Sequence, residues 1–195
     1  FHREHVDAPI DNHHQKSACT QTLFIFAVQR PQEISMTEIV FTPIGTVHSP
    51  FSDPRDMPIQ PVGARGVRGT IELNPACAAG LKDLTGFSRI IVLYHFHRCD
   101  GYSLEVVPFL DKTPRGVFAT RAPRRPNAIG ISILKLVAVR GATLTVEDVD
   151  ILDGTPVLDI KPYVPAFDAY PDERAGWLTT TSGAARTMRS DDRFC

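Results

Sequence analysis

"IGISILKLVAVRG" (residues 129–141) runs directly into "ATLTVEDVDIL" (residues 142–152), and together they form the longest strand-like stretch of the sequence. Both runs are apolar and rich in β-branched residues, which favours strands. Arg140-Gly141 separates them, and a glycine between two such runs is typical of a tight turn. The sequence therefore predicts a long antiparallel hairpin.

Five further segments have the pattern of strands. The run "RIIVLYHFH" (residues 89–97) is continuously apolar before its histidines, so it is predicted to lie centrally in the sheet. The other four strand-like segments cover residues 39–49, 67–73, 116–120 and 155–165. One helix is predicted over residues 74–86, with Asn74 as its N-cap and Pro75 at the first helical position.

No strand–helix–strand unit with a glycine-rich phosphate turn is present, which argues against a doubly wound α/β fold. We therefore predict a mainly β protein, a single-sheeted β-barrel with one or two small helices. We expect residues 1–35 to form a non-native or loosely ordered N-terminal extension. The barrel domain is predicted over residues 36–170 and a C-terminal tail over residues 171–195.

The net charge of -1 over 195 residues excludes a generally basic nucleic-acid binder, so any such contact must come from a local patch. Charge is segregated in the sequence. Residues 112–125 hold five cations and no anion, and residues 147–159 hold five anions and no cation. Such blocks are most often solvated faces, but opposed blocks also fit two halves of one site.

The cysteines favour a cytoplasmic protein with reduced thiols. Cys19, Cys77, Cys99 and Cys195 are widely spaced and form no C-x-x-C pair. The apolar run "LFIFAV" (residues 23–28) is too short to span a membrane. We expect no membrane association.

The run "YHFHRCD" raises the question of a metal. His95, His97 and Cys99 recur at period two, which would place them on one face of a strand. No second, well-spaced ligand pair accompanies them, and a histidine at a strand end often bonds to loops. We therefore predict no metal site.

The basic loop "GVFATRAPRRPNAIG" (residues 116–130) offers two interpretations. Its prolines restrict the backbone, its arginines suit carboxylate or phosphate, and Asn127 suits an adenine edge or exocyclic amine. The alternative is an exposed loop with solubilising arginines. Asp150 and Asp153, beside the turn "DGTP", could complement the loop by accepting from ribose hydroxyls or facing a cation.

Four stretches, taken together, resemble the TrmO family, also called TsaA-like or YaeB-like proteins. They are "IGTVHSPF", "YHFHR", "GVFATRAPRRPNAIGIS" and "DGTPVLDIKPYVP", and the similarity runs from about Ile39 to Asp168. The resemblance implies a β-barrel methyltransferase that uses S-adenosylmethionine to methylate N6 of the threonylcarbamoyl-modified adenosine beside the anticodon of tRNA. It also implies a homodimer.

The resemblance further implies a set of cofactor contacts. These are Pro58, Ile59, Gln60, His97, Arg98, Arg121, Ile131, Asp150, Ile151, Leu152, Asp153, Gly154 and Thr155. The chain departs from the family pattern at Ala128, where relatives usually have proline, and at Arg98, where bacterial relatives often have glutamine. We expect the first departure to loosen the Asn127 turn and the second to alter contacts with the cofactor or the substrate.

For the reaction, we expect Asn127 to contact the acceptor nitrogen or the adenine edge. A base, either His97, an aspartate or the carboxylate of the substrate, takes the proton. Arg124 and Arg125 are expected to hold the threonyl carboxylate or anticodon phosphates. Two other functions fit the same pattern: a methyltransferase with a different acceptor, and a non-catalytic module that binds S-adenosylmethionine.

Overall fold

The computed structural model describes residues 38–194. The predicted N-terminal extension, residues 1–35, lies outside the described residues, as do Cys19 and Cys195. The side chain of Cys77 carries a free thiol. No helix within residues 38–194 has both the length and the apolar character needed to cross a bilayer.

Six antiparallel strands close into a barrel in the order β1-β2-β7-β6-β3-β8. These strands are β1 (Gly45–His48), β2 (Arg68–Leu73), β3 (Arg89–His95), β6 (Ile129–Arg140), β7 (Thr143–Glu147) and β8 (Thr155–Pro162). A separate two-stranded ribbon consists of β4 (Glu105–Val106) and β5 (Arg115–Gly116). The predicted fold class, a mainly β single-sheeted barrel, is confirmed.

The predicted hairpin is the β6–β7 pair, in which Arg140 lies opposite Thr143. Gly141 has a φ of 58°, a left-handed conformation that glycine adopts without strain. Strand β7 ends at Glu147 and not at residue 152, because Asp148 has a φ of 68° and turns the chain out of the sheet. The released loop (148–154) carries Asp150 to the end of the barrel.

The barrel core follows from alternation along the strands. In β3, Ile90, Val92 and Tyr94 are buried inside the barrel, while the residues between them face outward. Strand β3 pairs with β6 on one side and β8 on the other, so its predicted central position is confirmed. The core therefore fixes which face of each strand end points inward, toward the site described below.

The helix predicted over residues 74–86 is confirmed at its start, but its predicted length as one continuous helix is wrong. The segment forms two 3-10 helices, Pro75–Leu81 and Leu84–Gly86, although the Asn74 side chain does accept a hydrogen bond from the Ala76 amide as an N-cap. Asp83 has a φ of 65° and breaks the helical path between them. Leu81 and Leu84 are the side chains of this segment that pack on the core, so a longer helix would bury little more.

Three predicted strands are shorter than expected. Residues 39–49 form a strand from Gly45, and residues 155–165 form one that ends at Pro162, before helix α1 (Pro165–Asp168). In the third, 116–120, β5 ends at Gly116 and a 3-10 helix covers Val117–Ala119. The amide and hydroxyl of Thr120 both donate to the Val117 carbonyl, which closes this helical turn.

A second, smaller apolar cluster lies outside the barrel. Val106, Val117, Ala122 and Phe194 are buried in it, and Phe109 packs on Phe194 edge to face, with ring centroids 5.1 Å apart. It joins residues 100–125 to the C-terminal segment 171–194, and we call these two segments together the cover. The C-terminal segment holds 3-10 helices at Gly176–Thr179 and Ser182–Arg186 and has no strand among its described residues.

Candidate functional site

A cavity of ≈ 600 Å³ lies between the end of the barrel and the cover. Tyr94, Gly130 and Thr155 contribute to it from the barrel strands, and Phe109 and Trp177 contribute from the cover. Its size lies in the range of small-molecule sites, and its wall is mostly apolar, with a few polar groups among the apolar side chains. This is the chemistry expected of a pocket for an amphipathic ligand.

All but two of the predicted cofactor contacts line this cavity. They are Pro58, Ile59, Gln60, His97, Arg98, Arg121, Ile131, Asp150, Ile151, Leu152 and Thr155. They come from five separated parts of the sequence, which the barrel closure brings to one end. Their contacts with a ligand stay predictions.

Tyr94 and Asp150 form the polar floor of the cavity, and the buried Ser132 hydroxyl links them from behind the wall. The Ser132 hydroxyl donates to Asp150 Oδ1 over 2.7 Å and lies 3.3 Å from the Tyr94 hydroxyl. Burial raises the pKa of Asp150 to about 7, against the opposing effects of Ser132 and the Arg121 charge. Burial and then the Asp150 charge also raise the pKa of Tyr94. The cavity thus holds a carboxyl group that changes its charge near neutral pH.

Gly130 makes the floor possible. A Cβ atom at this position would lie 2.3 Å from Cε2 of the Tyr94 ring and 2.9 Å from Phe96. The Tyr94 and Phe96 rings pack edge to face, with centroids 5.4 Å apart, directly against this backbone. A glycine is therefore required where β6 enters the cavity wall.

His97 lies in a turn after β3, which ends at His95. The His97 amide donates to the His95 carbonyl, so the period-two alternation expected for His95, His97 and Cys99 does not continue past the strand. Within residues 38–194 no three His, Cys, Asp or Glu side chains group as metal ligands. Burial, followed by the charges of Arg98 and His95, lowers the pKa of His97 from its usual 6.5, so its ring is neutral at neutral pH. Its Nδ1 lies 3.4 Å from Thr155 Oγ1.

Arg121 is positioned by the early loop. Its Nη1 donates to Gln60 Oε1 over 2.8 Å, which joins two predicted cofactor contacts that are 61 residues apart in the sequence. The guanidinium is otherwise exposed and lies at the cavity wall. Arg121 also acts on the floor, since its charge opposes the raised pKa of Asp150. It is thus a cation ready to receive an anionic ligand group.

The remaining residues of the basic loop have different surroundings. Arg125 Nη1 donates to the carbonyls of Val117, Thr120 and Ala122 over 3.1, 2.9 and 3.4 Å. Its guanidinium therefore stabilises the loop conformation, whereas the sequence-based prediction directed it to the substrate.

Arg124 is half-buried beside Arg125 and does not line the cavity. Its Nε is buried and has no hydrogen-bond acceptor among residues 38–194. Asn127 is exposed and likewise lies outside the cavity wall, while its backbone carbonyl accepts from the Ile129 amide. The next residue, Ala128, accepts from the Phe96 amide over 2.8 Å, which ties the turn to the end of β3 despite the missing proline.

Asp153 and Gly154 are the two predicted cofactor contacts outside the cavity wall. Asp153 Oδ1 accepts from the Ser49 amide and lies 3.5 Å from His48 Nδ1, so this side chain fixes the loop after β1. Gly154 has a φ of 76° and supplies the left-handed position of the turn. Asp150 and Asp153 thus diverge, one toward the cavity and one toward the outer loop.

The C-terminal part of the wall was missed in the sequence. Trp177, Leu178, Ala185 and Phe194 line the cavity from a segment predicted to be an irregular tail. The Trp177 indole donates to the Ala119 carbonyl over 2.8 Å. A signal was present, because Trp177 is the one tryptophan of the chain and stands in an otherwise polar segment.

Comparison with known proteins identifies the family. The model of the tRNA-methyltransferase O N-terminal domain matches residues 46–169, more than half of the chain. The chain belongs to the TrmO family. The match spans the barrel from β1 to the end of α1 and includes every predicted site residue.

Individual relatives agree with this family. A probable S-adenosyl-L-methionine-binding protein of Pyrococcus abyssi is 51% identical over 156 residues, which cover 80% of this chain and 85% of that protein. The human tRNA (adenine(37)-N6)-methyltransferase is 37% identical over 136 residues, covering 65% of this chain and 30% of the human protein. The crystal structure of TrmO from Pseudomonas aeruginosa has a TM-score of 0.64 at 40% identity, covering 75% of this chain and 64% of that one. The chain thus spans less than two thirds of the human protein and of the bacterial TrmO.

Proposed function

We propose that this TrmO-family protein binds S-adenosylmethionine in the cavity and methylates N6 of an adenine in tRNA, the threonylcarbamoyl-modified adenosine beside the anticodon. The observation that carries the proposal is the convergence of Gln60, His97, Arg121 and Asp150 on one mostly apolar cavity. The names of the relatives support it, because they include a probable S-adenosyl-L-methionine-binding protein and a tRNA (adenine(37)-N6)-methyltransferase.

The residues present fit S-adenosylmethionine. A cavity of ≈ 600 Å³ accommodates a ligand of this size, and Pro58, Ile59 and Leu152 offer apolar walls to its adenine and its carbon chain. Arg121 would pair with the carboxylate of the ligand. The ionised Asp150 would compensate the positive charge of the sulfonium. The bound cofactor would in turn favour the ionised form of Asp150, which burial otherwise disfavours. Gln60 would keep Arg121 in place.

When bound, the cofactor supplies an electrophilic methyl group on a sulfonium. The protein then has to orient the acceptor adenine toward it and remove one proton from the acceptor nitrogen. We assign the orientation to Asn127, whose exposed amide can both donate to and accept from an adenine edge. We assign proton removal to His97, whose ring is neutral at neutral pH and can accept a proton at Nε2.

The threonylcarbamoyl group adds a carboxylate to the acceptor. Arg124 suits this group, because its buried Nε has no acceptor among the described residues and an anionic oxygen would satisfy it. Arg125 would contribute indirectly by holding the loop that carries Arg124 and Asn127. A homodimer in the cytoplasm completes the proposal, in keeping with the reduced-thiol pattern of the sequence.

The test is methyl transfer to two tRNA substrates by the purified full chain. The tRNA is incubated with protein and S-adenosylmethionine and then hydrolysed, and its nucleosides are separated by chromatography and identified by mass spectrometry. Modified tRNA should yield the N6-methylated threonylcarbamoyl adenosine, and tRNA lacking the threonylcarbamoyl group should yield nothing. Equal methylation of both tRNAs would identify a different acceptor, while cofactor binding without any transfer would identify a non-catalytic binding module.

A further inference from the structure

The most exposed large aromatic side chain of the cover is Phe118, at 75% exposure. It lies in the 3-10 helix Val117–Ala119, between two residues with fixed positions. Tyr94, an aromatic residue of the cavity wall, is by contrast 7% exposed and belongs to the barrel core. Of these two aromatic rings, Phe118 is therefore the one that is exposed to solvent and accessible to a ligand.

The exposure of Phe118 is a property of a well-anchored turn. Val117 is 1% exposed, and its carbonyl accepts from Arg125 Nη1 and from Thr120. On the other side, the Ala119 carbonyl accepts from the Trp177 indole. The backbone on both sides of the ring is thus fixed by hydrogen bonds from the rest of the cover. A ring held in this way loses little conformational entropy when a ligand stacks on it.

One cation lies beside this ring, and a second lies beside Trp177 of the same cover. The Arg125 guanidinium lies 5.9 Å from the Phe118 centroid, and Arg115 lies 5.6 Å from the centroid of the adjoining Trp177. Both belong to the block of residues 112–125, which has five cations and no anion. The carboxylate of Asp111 pairs with Arg115, so most of the positive charge of this block remains for a ligand. Arg121 and Arg125 also line the cavity, which brings the patch to its rim.

We propose that Phe118 is a stacking platform for a nucleobase of the tRNA anticodon loop, one that flanks the acceptor adenine. A fixed, exposed aromatic ring beside several arginines is the arrangement by which proteins bind single-stranded nucleic acid. The ring takes the base, and the neighbouring cations attract the phosphates on either side. This inference rests on the proposed function, because it assumes that the acceptor is an RNA loop.

The positive charge around Phe118 favours RNA over a protein as the partner of this ring. A protein-binding patch is expected to be depleted of charge at its centre, whereas Phe118 has Arg125 beside its ring and belongs to a block of five cations and no anion. A second copy of this chain would bring the same cations against this patch, at the cost of like-charge repulsion. An anionic loop of RNA compensates the charge and supplies a flat apolar surface for the ring.

The test measures binding of an anticodon stem-loop whose flanking base is replaced by a fluorescent analogue that is quenched on stacking. Wild-type protein should quench the analogue. Phe118→Ala should remove the quenching and weaken RNA binding roughly five- to 150-fold, the range of base–aromatic stacking, while the affinity for S-adenosylmethionine stays unchanged. Phe118→Tyr should retain both properties. Phe167→Ala, an exposed phenylalanine of α1 outside the cavity wall, is the matched control and should bind like wild type.

Three results would overturn the proposal: RNA affinity of Phe118→Ala within about twofold of wild type, a Phe118→Tyr variant as weak as Phe118→Ala, or unquenched fluorescence in the wild-type complex. A Phe118→Ala protein that loses its dimer while binding RNA normally would assign the ring to a second copy instead. The binding assay does not depend on methyl transfer, so a wild-type protein that stacks the base but transfers no methyl group would contradict the proposed function alone.

Discussion

The barrel and the cover build the two sides of one cavity by different means. The barrel is a continuous core in which Ile71, Leu134 and Leu144 are fully buried, and it holds the polar floor in place through strand register. The cover has a small apolar cluster and depends on side-chain to backbone hydrogen bonds from Arg125 and Trp177. The two walls therefore differ in what stabilises them: a large apolar core holds the barrel wall, and a few hydrogen bonds around a small apolar cluster hold the cover.

The largest effect is expected in the barrel. Leu134→Ala removes a side chain with 0% exposure and should lower the free energy of unfolding by about 3 kcal/mol, through lost burial and a residual cavity. Urea denaturation followed by circular dichroism measures this loss. Leu178→Ala, in the cover, is the matched control and should cost clearly less, because Leu178 is only half-buried. Equal losses would mean that barrel and cover form one core.

A smaller effect is expected where the cover closes on itself. Phe194→Ala removes the contact with Phe109 and should lower the free energy of unfolding by about 2 kcal/mol, because a small cluster can open locally. Limited proteolysis should then cut within residues 171–194 faster than in wild type, while the barrel stays resistant. A variant in which both regions become sensitive together would show that the cover does not open independently.

Substitutions of Arg125 test whether the basic loop requires the guanidinium group itself or only a positive charge. Arg125→Lys keeps the charge, but its shorter side chain cannot bring the ammonium to the position from which Nη1 contacts three carbonyls, so we expect a loss of about 1–2 kcal/mol in the free energy of unfolding. Arg124→Lys, whose buried Nε donates no hydrogen bond among residues 38–194, should leave stability unchanged. If Arg125→Lys were fully stable but weak in RNA binding, the sequence-based assignment of Arg125 to the substrate would be right.

Asp150 should make both stability and cofactor affinity depend on pH. Its folded pKa of about 7 lies above its unfolded value near 4, so the folded state binds the proton more tightly. Stability from this group should therefore fall as the pH rises from about 4 to about 7 and stay level above. Affinity for the cationic cofactor should rise as the carboxylate of the folded protein forms, by about tenfold between about pH 6 and about pH 8.

Asp150→Asn separates this effect from the other titrating groups of the floor. The amide oxygen can still accept from Ser132, but it cannot ionise. The affinity measured by calorimetry should then lose its pH dependence. A dependence that survives the substitution would come from His97, whose pKa is lowered, and not from the floor carboxyl.

Much of the barrel could be predicted from the sequence, because the signals for strands and tight turns lie within short stretches of residues. The hairpin at Gly141 and the central position of β3 followed from alternation, β-branching and turn chemistry. The helix at residues 74–86 was wrong because local N-cap and proline signals do not reveal the left-handed Asp83 that interrupts it. Propensity describes the start of a helix better than its length.

The residues of the candidate site also fall into two groups, those that the sequence predicted and those that only the folded structure reveals. Residues carried by motifs, such as Gln60, Arg121 and Asp150, do meet at one cavity. The contacts that depend on folding could not be predicted: the Ser132 and Tyr94 hydroxyls beneath Asp150, and Trp177 against Ala119. Those contacts join residues up to 58 positions apart, and no local pattern encodes them.

The central claim, that S-adenosylmethionine binds between the barrel and the cover, is tested most directly by calorimetric titration of the cofactor into three proteins. Wild type should bind, Arg121→Ala should bind about tenfold more weakly because it loses one charge-assisted contact, and Arg65→Ala should bind like wild type. Arg65 is exposed and lies outside the cavity wall, so it controls for the lost positive charge. No binding to wild type, or equal weakening in both variants, would contradict the account.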